Sequence, residues 1–241
     1  MIKFFRKIRK QLADDNKPLK YVWYAIGEIV LVVIGILIAL SINNWNNERS
    51  DRDKEMVILT EMIRNLNMNI KQFSAEIVNQ DSIIRNIDVI MDQIKNNTPF
   101  HDSLGIKYAS ISWTEEFNFA NSAFETLKTT GLDLISSDSL REQIISLFNV
   151  RYLRISDVIN KISRADYADL STLYLRHIEW DKQGKATIND YDSLKKDKEF
   201  TNMLSGRRVW KTDLIKVYKE LIEESRQLSG MIDKALNELK K

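Results

Sequence analysis

The chain has 241 residues, no cysteine and two histidines, with 36 Lys and Arg against 34 Asp and Glu for a formal net charge of +2. The length suits one or two compact domains, and the lack of cysteine excludes disulfides, a thiolate nucleophile, Fe–S clusters and Cys-ligated zinc. The charge is unevenly placed: seven basic residues against two acidic ones put residues 1–20 at +5 and the remaining 221 at −3, which argues against a broad nucleic-acid-binding surface.

The first twelve residues read MIKFFRKIRKQL. Ile2, Phe5, Ile8, Arg9 and Leu12 fall at helical spacing with Phe4 beside them. The pattern predicts an N-terminal amphipathic helix lying on anionic headgroups through Lys3, Arg6, Lys7, Arg9 and Lys10, with membrane lipid as its partner. Pro18 separates it from the next element.

Tyr21 to Ile42 is the only long apolar stretch. Twenty-two residues at about 1.5 Å rise reach roughly 33 Å, enough to cross a hydrocarbon core of ~30 Å. Tyr21, Trp23 and Tyr24 at one end and Trp45 at the other are placed as membrane-interface anchors. A cleaved signal peptide is the rival reading, with a possible site at Ala39-Leu40-Ser41. The apolar run is long for that, and the helical pattern continues through Trp45. Seven Lys and Arg precede the span, whereas Arg49, Arg52 and Lys54 follow it among Glu48, Asp51, Asp53 and Glu55. The positive-inside rule then puts the N-terminus in the cytoplasm and residues 43–241 outside it, across a bacterial inner membrane in the periplasm.

Glu28 sits inside the span, where a carboxyl group costs roughly 3 kcal/mol unless it is neutralised or partnered. Glu28, Gly35, Ala39 and Ile42 share one helical face, and Gly35-x-x-x-Ala39 is a small-xxx-small pattern that lets a second helix approach closely. This face is expected to meet protein, with Glu28, Gly35 and Ala39 as the intramembrane contact.

From Leu59 the apolar positions run Leu59, Met62/Ile63, Leu66, Ile70, Phe73, Ile77, Ile84, Ile87, Met91 and Ile94. The steps are coiled-coil-like, and no breaker intervenes before Asn96-Asn97-Thr98-Pro99. One helix is therefore expected from about Lys20 to Lys95, its periplasmic part covering about 43–95. Residues 97–114 read as irregular cover with a weak alternating run at Ile106–Trp113. A short helix over about 118–130 ends at Gly131, a good residue for the position after a helix. Ser139-Leu140-Arg141-Glu142 matches a capping box and opens a long helix of about 139–180 with apolar positions Leu140, Ile144, Leu147, Tyr152, Ile155, Ile159 and Ile162. Residues 181–192 read as a loop. A last helix over about 198–240 carries Met203, Trp210, Leu214, Val217, Leu221, Leu228, Ile232 and Ala235. The expected fold is all-α: the N-terminal amphipathic helix over 1–20, one transmembrane helix over 21–42 continuing into a long helix, and an antiparallel helical bundle over 43–241.

The pattern predicts no catalytic residue, metal site or cofactor. His101 and His177 each stand alone in sequence, and there is no H-E-x-x-H, G-x-S-x-G, phosphate-binding glycine loop or G-x-G-x-x-G. Ser193-Leu194-Lys195-Lys196 matches S-x-x-K, a four-residue pattern that chance supplies in a Lys-rich segment. Glu115-Glu116 and Glu223-Glu224 read as solvated charges. Trp113, Phe117, Phe119 and Phe124 read as bundle-capping core rather than a pocket lining.

The string Tyr24-Ala25-Ile26-Gly27-Glu28-Ile29-Val30-Leu31-Val32-Val33-Ile34-Gly35-Ile36-Leu37-Ile38-Ala39-Leu40, followed by Asn43-Asn44-Trp45-Asn46, resembles the opening of a family of uncharacterised Bacteroidota membrane proteins. Those begin with a basic segment like Phe4–Arg9, and the stretches ETLKTTGLDLI (125–135) and DKEFTNML (197–204) are similar to the family too. The resemblance implies a Gram-negative envelope protein whose Glu28 segment stays uncleaved, and it carries no activity. The leading expectation is a non-catalytic, single-pass inner-membrane protein acting as an assembly or interaction subunit, in a homo-oligomer or with another membrane protein through its transmembrane helix. Two other classes fit the same outline: a proton-coupled, stator-like rod using Glu28, and a ligand-sensing periplasmic bundle that signals through a partner.

Overall fold

The computed structural model describes residues 18–112, 116–182 and 186–240. Among them the chain is all-α apart from one two-stranded hairpin. The expected amphipathic helix over residues 1–17 and Trp113 lie outside the described residues. The chain divides into two units, one ending at Lys54 and the other running from Glu55.

Helix α1 (Pro18–Lys95) belongs to both units and is unbroken, including through Asn43–Asn47. After Pro18 it contains no proline and only two glycines, Gly27 and Gly35, so nothing in it opposes helical backbone. It ends where Asn97 takes a left-handed conformation (φ 51°). The Asn97 and Thr98 amides then return to the carbonyls of Ile94 and Gln93 at 3.3 and 3.1 Å, satisfying the last turn.

The second unit is a bundle of α1 with α4 (Asp138–Ile145), a π-helical turn (Ser146–Tyr152), α5 (Leu153–His177) and α7 (Lys198–Leu239). Shorter pieces fill it: α2 (Gly105–Ser110), α3 (Ser122–Thr130) and α6 (Tyr191–Lys196). Its interior holds two apolar clusters. The larger joins Leu59, Met62, Leu66 and Phe73 of α1 to Phe117, Phe124, Ile144, Phe148, Tyr152, Tyr218 and Leu221. The smaller joins Ile83, Ile87 and Ile90 to Leu104, Tyr108, Ile111, Tyr174, Leu194, Phe200 and Leu204.

Several elements depart from the periodicity. Residues 102–110, expected as irregular cover, form a 3₁₀ turn (Asp102–Leu104) followed by α2, and bury Leu104, Tyr108 and Ala109. Residues 178–180, expected at the end of the long helix, instead form β1 (Ile178–Trp180), which pairs antiparallel with β2 (Ala186–Ile188) in the run expected as a loop. Residues 118–121, expected in the short helix, lie before its start at Ser122. Side chains hold this stretch out of helix. Asn69 accepts from the Ala120 amide at 2.6 Å and donates to its carbonyl at 3.0 Å, while Asn160 accepts from the Phe117 amide at 3.0 Å. Asn65 accepts from the Ala123 amide at 2.9 Å, which supplies α3 with the cap that Asn121 does not make. The expected end at Gly131 is found, with φ 119°, a value that favours glycine.

The cap of α4 lies two residues before the expected one. Ser137 accepts from the Leu140 amide, and Ser139 is inside the helix. The shift follows from Glu55, whose buried carboxylate accepts from the Ser136 amide at 2.9 Å and its hydroxyl at 3.0 Å. Those bonds hold the chain extended up to Ser137.

Candidate functional site

In the first unit, residues 29–50 of α1 are exposed throughout. Leaving this many aliphatic side chains in water forfeits roughly 1.5–3 kcal/mol for each that could be buried, so the surface is built for an apolar surrounding. This is the one helix among the described residues that is long and apolar enough to cross a membrane. Trp23 and Trp45 lie at 70% and 62% exposure near the two ends of its apolar stretch, and the Arg49 guanidinium sits 5.9 Å from the Trp45 ring centre. The side chains of Tyr21 and Tyr24, and Lys3, Arg6, Lys7, Arg9 and Lys10, lie outside the described residues.

Glu28 is half-buried, and Gly35 and Ala39 are exposed. At about 100° per residue these three fall within an arc of about 40°. A methyl group placed on Gly35 would meet no atom within 4 Å, so the glycine is not there to let this chain pack on itself. What the face offers is a shallow surface with a carboxyl group on its own side of the helix.

In the second unit the most distinctive local structure is the π turn. Apolar positions up to Leu147 keep helical spacing, then the next buried residue along the seam after Leu147 and Phe148 is Tyr152, followed by Ile155 and Ile159. An α-helix would carry the seam off the core at this point, and a turn with one extra residue brings it back. The turn also aims two consecutive residues at two consecutive residues of α7. Arg151 Nε donates to both Glu224 oxygens at 3.1 and 3.2 Å and its Nη2 to Glu220 at 2.6 Å. The Tyr152 hydroxyl meets Ser225 Oγ at 2.6 Å inside the core. Burial pushes the Tyr152 phenol up to about 12, against the opposing hydrogen bond from Ser225. Next to the turn lies a half-open cleft of about 200 Å³ lined by Gln143, Ser146, Leu147, Arg151, Glu224, Gln227, Leu228 and Met231. Glu224, expected as a solvated charge, is therefore a half-buried partner of Arg151.

A third feature is polar and internal. Between the residues of the two apolar clusters, the helices place Gln80 on α1, Ser163 on α5, and Arg207 and Lys211 on α7, all buried. Gln80 Oε1 and Ser163 Oγ have no hydrogen-bond partner among the described residues. Ile162, expected in the seam, is exposed instead, because the extra residue of the π turn moves position 163 inward. Tyr174 donates to the Tyr108 carbonyl close by, and burial raises both phenols.

Both histidines have structural partners. His101 Nδ1 accepts from the Ser103 amide at 3.2 Å at the start of the 3₁₀ turn. His177 is buried with Nε2 2.7 Å from Asp197 Oδ2, and Asp197 caps α7 by accepting from the Glu199 and Phe200 amides. The hydrogen bond from His177 and then these amides hold the Asp197 carboxyl below its usual range. In the S-x-x-K string, Lys195 reaches Asn97 at 2.6 Å and Asp192 at 2.7 Å. Phe117, Phe119 and Phe124 join the aromatic core around Phe73, Phe148, Tyr152 and Tyr218, as expected. Among the described residues no group of three or more His, Asp or Glu could hold a metal ion.

No curated protein and no solved structure matches this chain. A family model described as a family of unknown function, DUF6090, matches residues 28–194. The matched stretch takes in Glu28, Gly35 and Ala39, the asparagine clamps on residues 117–123 and the π turn with Arg151. Since it covers well over half of the 241 residues, the chain belongs to the DUF6090 family.

Proposed function

We propose that this protein is a non-catalytic, single-pass inner-membrane protein of the Gram-negative envelope, in keeping with its N-terminal resemblance to Bacteroidota sequences, and that it acts as an assembly or interaction subunit. Glu28, Gly35 and Ala39 form its intramembrane contact, made with a second copy of the chain. The observation that carries the reading is an acid and two small residues gathered within one arc of a helix whose apolar surface is exposed all round. Small residues admit close helix–helix approach, and ionisable residues within membrane helices face protein rather than lipid. The excess of Lys and Arg before the span supports a cytoplasmic N-terminus with the bundle in the periplasm.

The absence of cysteine makes the test clean, since every thiol is one that has been introduced. Gly35→Cys and Ala39→Cys are expected to cross-link under oxidation in native membranes, whereas Leu37→Cys, on the opposite side of the helix, stays monomeric. Adding Gly35→Leu to the Ala39→Cys protein is expected to abolish its cross-link. Equal cross-linking at positions 35, 37 and 39, or none at any of them, would refute the contact.

A further inference from the structure

The cleft beside the π turn has the chemistry of a small ligand site. Its floor is apolar, made by buried Leu147 and Leu228 with half-buried Met231. Its polar groups are of three kinds. Arg151 and Glu224 line it as an ion pair bonded directly to each other at 3.1 Å, and Gln143, Gln227 and Ser146 stand at the rim. Arg151 spends Nε and Nη2 on Glu224 and Glu220, while Nη1 has no hydrogen-bond partner among the described residues. An ion pair at this exposure adds little to stability, on the order of 0–1 kcal/mol. It is nevertheless held in place by a π turn, whose hydrogen-bond geometry is rare and recurs at functional sites. The same turn anchors its next residue, Tyr152, to Ser225 in the core, so Arg151 is fixed at its root although its end is half open.

We propose that this cleft binds a small aliphatic α-amino acid. The ligand's carboxylate accepts from Arg151 Nη1 and from the rim amides, its ammonium donates to Glu224, and its side chain lies on Leu147, Leu228 and Met231. A zwitterion suits a site presenting both charges, because Arg151 Nη1 and the Glu224 carboxylate can each take an opposite charge while their own pair stays in place. At about 200 Å³ the cleft lies below the ~300–1,000 Å³ of drug-sized ligand sites, which suits a molecule as small as leucine. The proposal is independent of the intramembrane contact, which is read by cross-linking and not by ligand.

The test is calorimetric titration of leucine into the full chain in detergent micelles. Leucine is expected to bind saturably, with Kd near 1 mM or tighter. Leucinamide, which lacks the carboxylate, and isocaproate, which lacks the ammonium, are expected to bind at least about tenfold more weakly. Arg151→Met is expected to lose about tenfold in leucine affinity, and Gln143→Ala, at an exposed position of α4, about threefold. The site is overturned if leucine does not bind below ~10 mM. It is also overturned if leucine, leucinamide and isocaproate bind alike, or if Arg151→Met with an unchanged circular dichroism spectrum binds leucine as the wild type does.

Discussion

Asn69 is fully buried, and both ends of its amide are used on one residue, Ala120, across the bundle. Asn65 does nearly the same for Ser122 and Ala123. These are side chains standing in for a neighbouring strand: they satisfy backbone groups that extended chain in a helical protein would otherwise leave buried and unpaired. Replacing Asn69 by Leu keeps the volume and removes both bonds, so the Ala120 amide and carbonyl are orphaned. Such a change is expected to cost about 3 kcal/mol, read as a lower urea midpoint for the detergent-solubilised protein. A loss under ~1 kcal/mol would mean that the clamp is dispensable.

At the scale of elements, the long helices were legible because apolar residues recur in them over many turns, and the shorter pieces were not. Helix α2 has only six residues and each strand of the hairpin three, shorter than the windows over which periodicity has meaning. The π turn did leave a trace, successive steps of four from Leu140 through Ile144 and Phe148 to Tyr152, where threes and fours alternate in an α-helix. The π turn brings Arg151 to Glu224 on α7, a contact between distant residues that local pattern does not show, which is why Glu224 reads as a solvated charge in sequence. The Ser139 capping box misled because local pattern does not know of Glu55, 81 residues from the Ser136 it binds.

Helix α7 shows how a cap ties an element to solution conditions. Its cap, Asp197, has its carboxyl held low by His177 first and by the Phe200 and Glu199 amides after it. A carboxylate depressed in the folded state stabilises the fold above the unfolded value of about 4, and that contribution is lost as pH falls through the folded value. Thermal unfolding of the wild type is therefore expected to drop more steeply between about pH 5 and pH 3 than that of Asp197→Asn, which keeps the cap and loses the titration. Parallel pH profiles for the two proteins would show that the pair does not couple to folding.

Considered whole, the second unit is two apolar clusters with a polar level between them, and this arrangement is the least economical feature of the fold. The α7 seam shows it most plainly: Leu204, Arg207, Lys211, Leu214 and Tyr218 succeed one another at steps of three and four, and all are buried. The seam is visible in sequence once charged residues are admitted to it, whereas a search for apolar residues alone passes from Met203 to Trp210. On α1, Gln80 fills the seven-residue gap between Ile77 and Ile84 and is buried with Oε1 unpartnered. An unpaired polar atom in the interior costs about 1–3 kcal/mol. Gln80→Met, close in volume, is accordingly expected to leave the melting temperature unchanged or raise it, and a clear fall would show that the amide makes a bond that matters. The face proposed as an intramembrane contact is read from composition and helical arithmetic alone, and at Gly35 an added methyl group would meet no atom within 4 Å.

The asparagine clamps also set an order of events. Those of Asn65 and Asn69 join residues 51 to 58 positions apart, and closing a loop of that length costs roughly 3.5 kcal/mol in chain entropy before any bond is made. Two hydrogen bonds do not repay that cost, so the clamps cannot be what first brings the segment home. They form after α1 and α5 have already met, and they form as a group, because Phe117, lodged against Phe73 and Tyr218, seats the stretch that Asn65, Asn69 and Asn160 then hold. The aromatic centre of the bundle is thus expected to seal late, with the Phe117, Ala120 and Ala123 amides gaining protection from hydrogen exchange together.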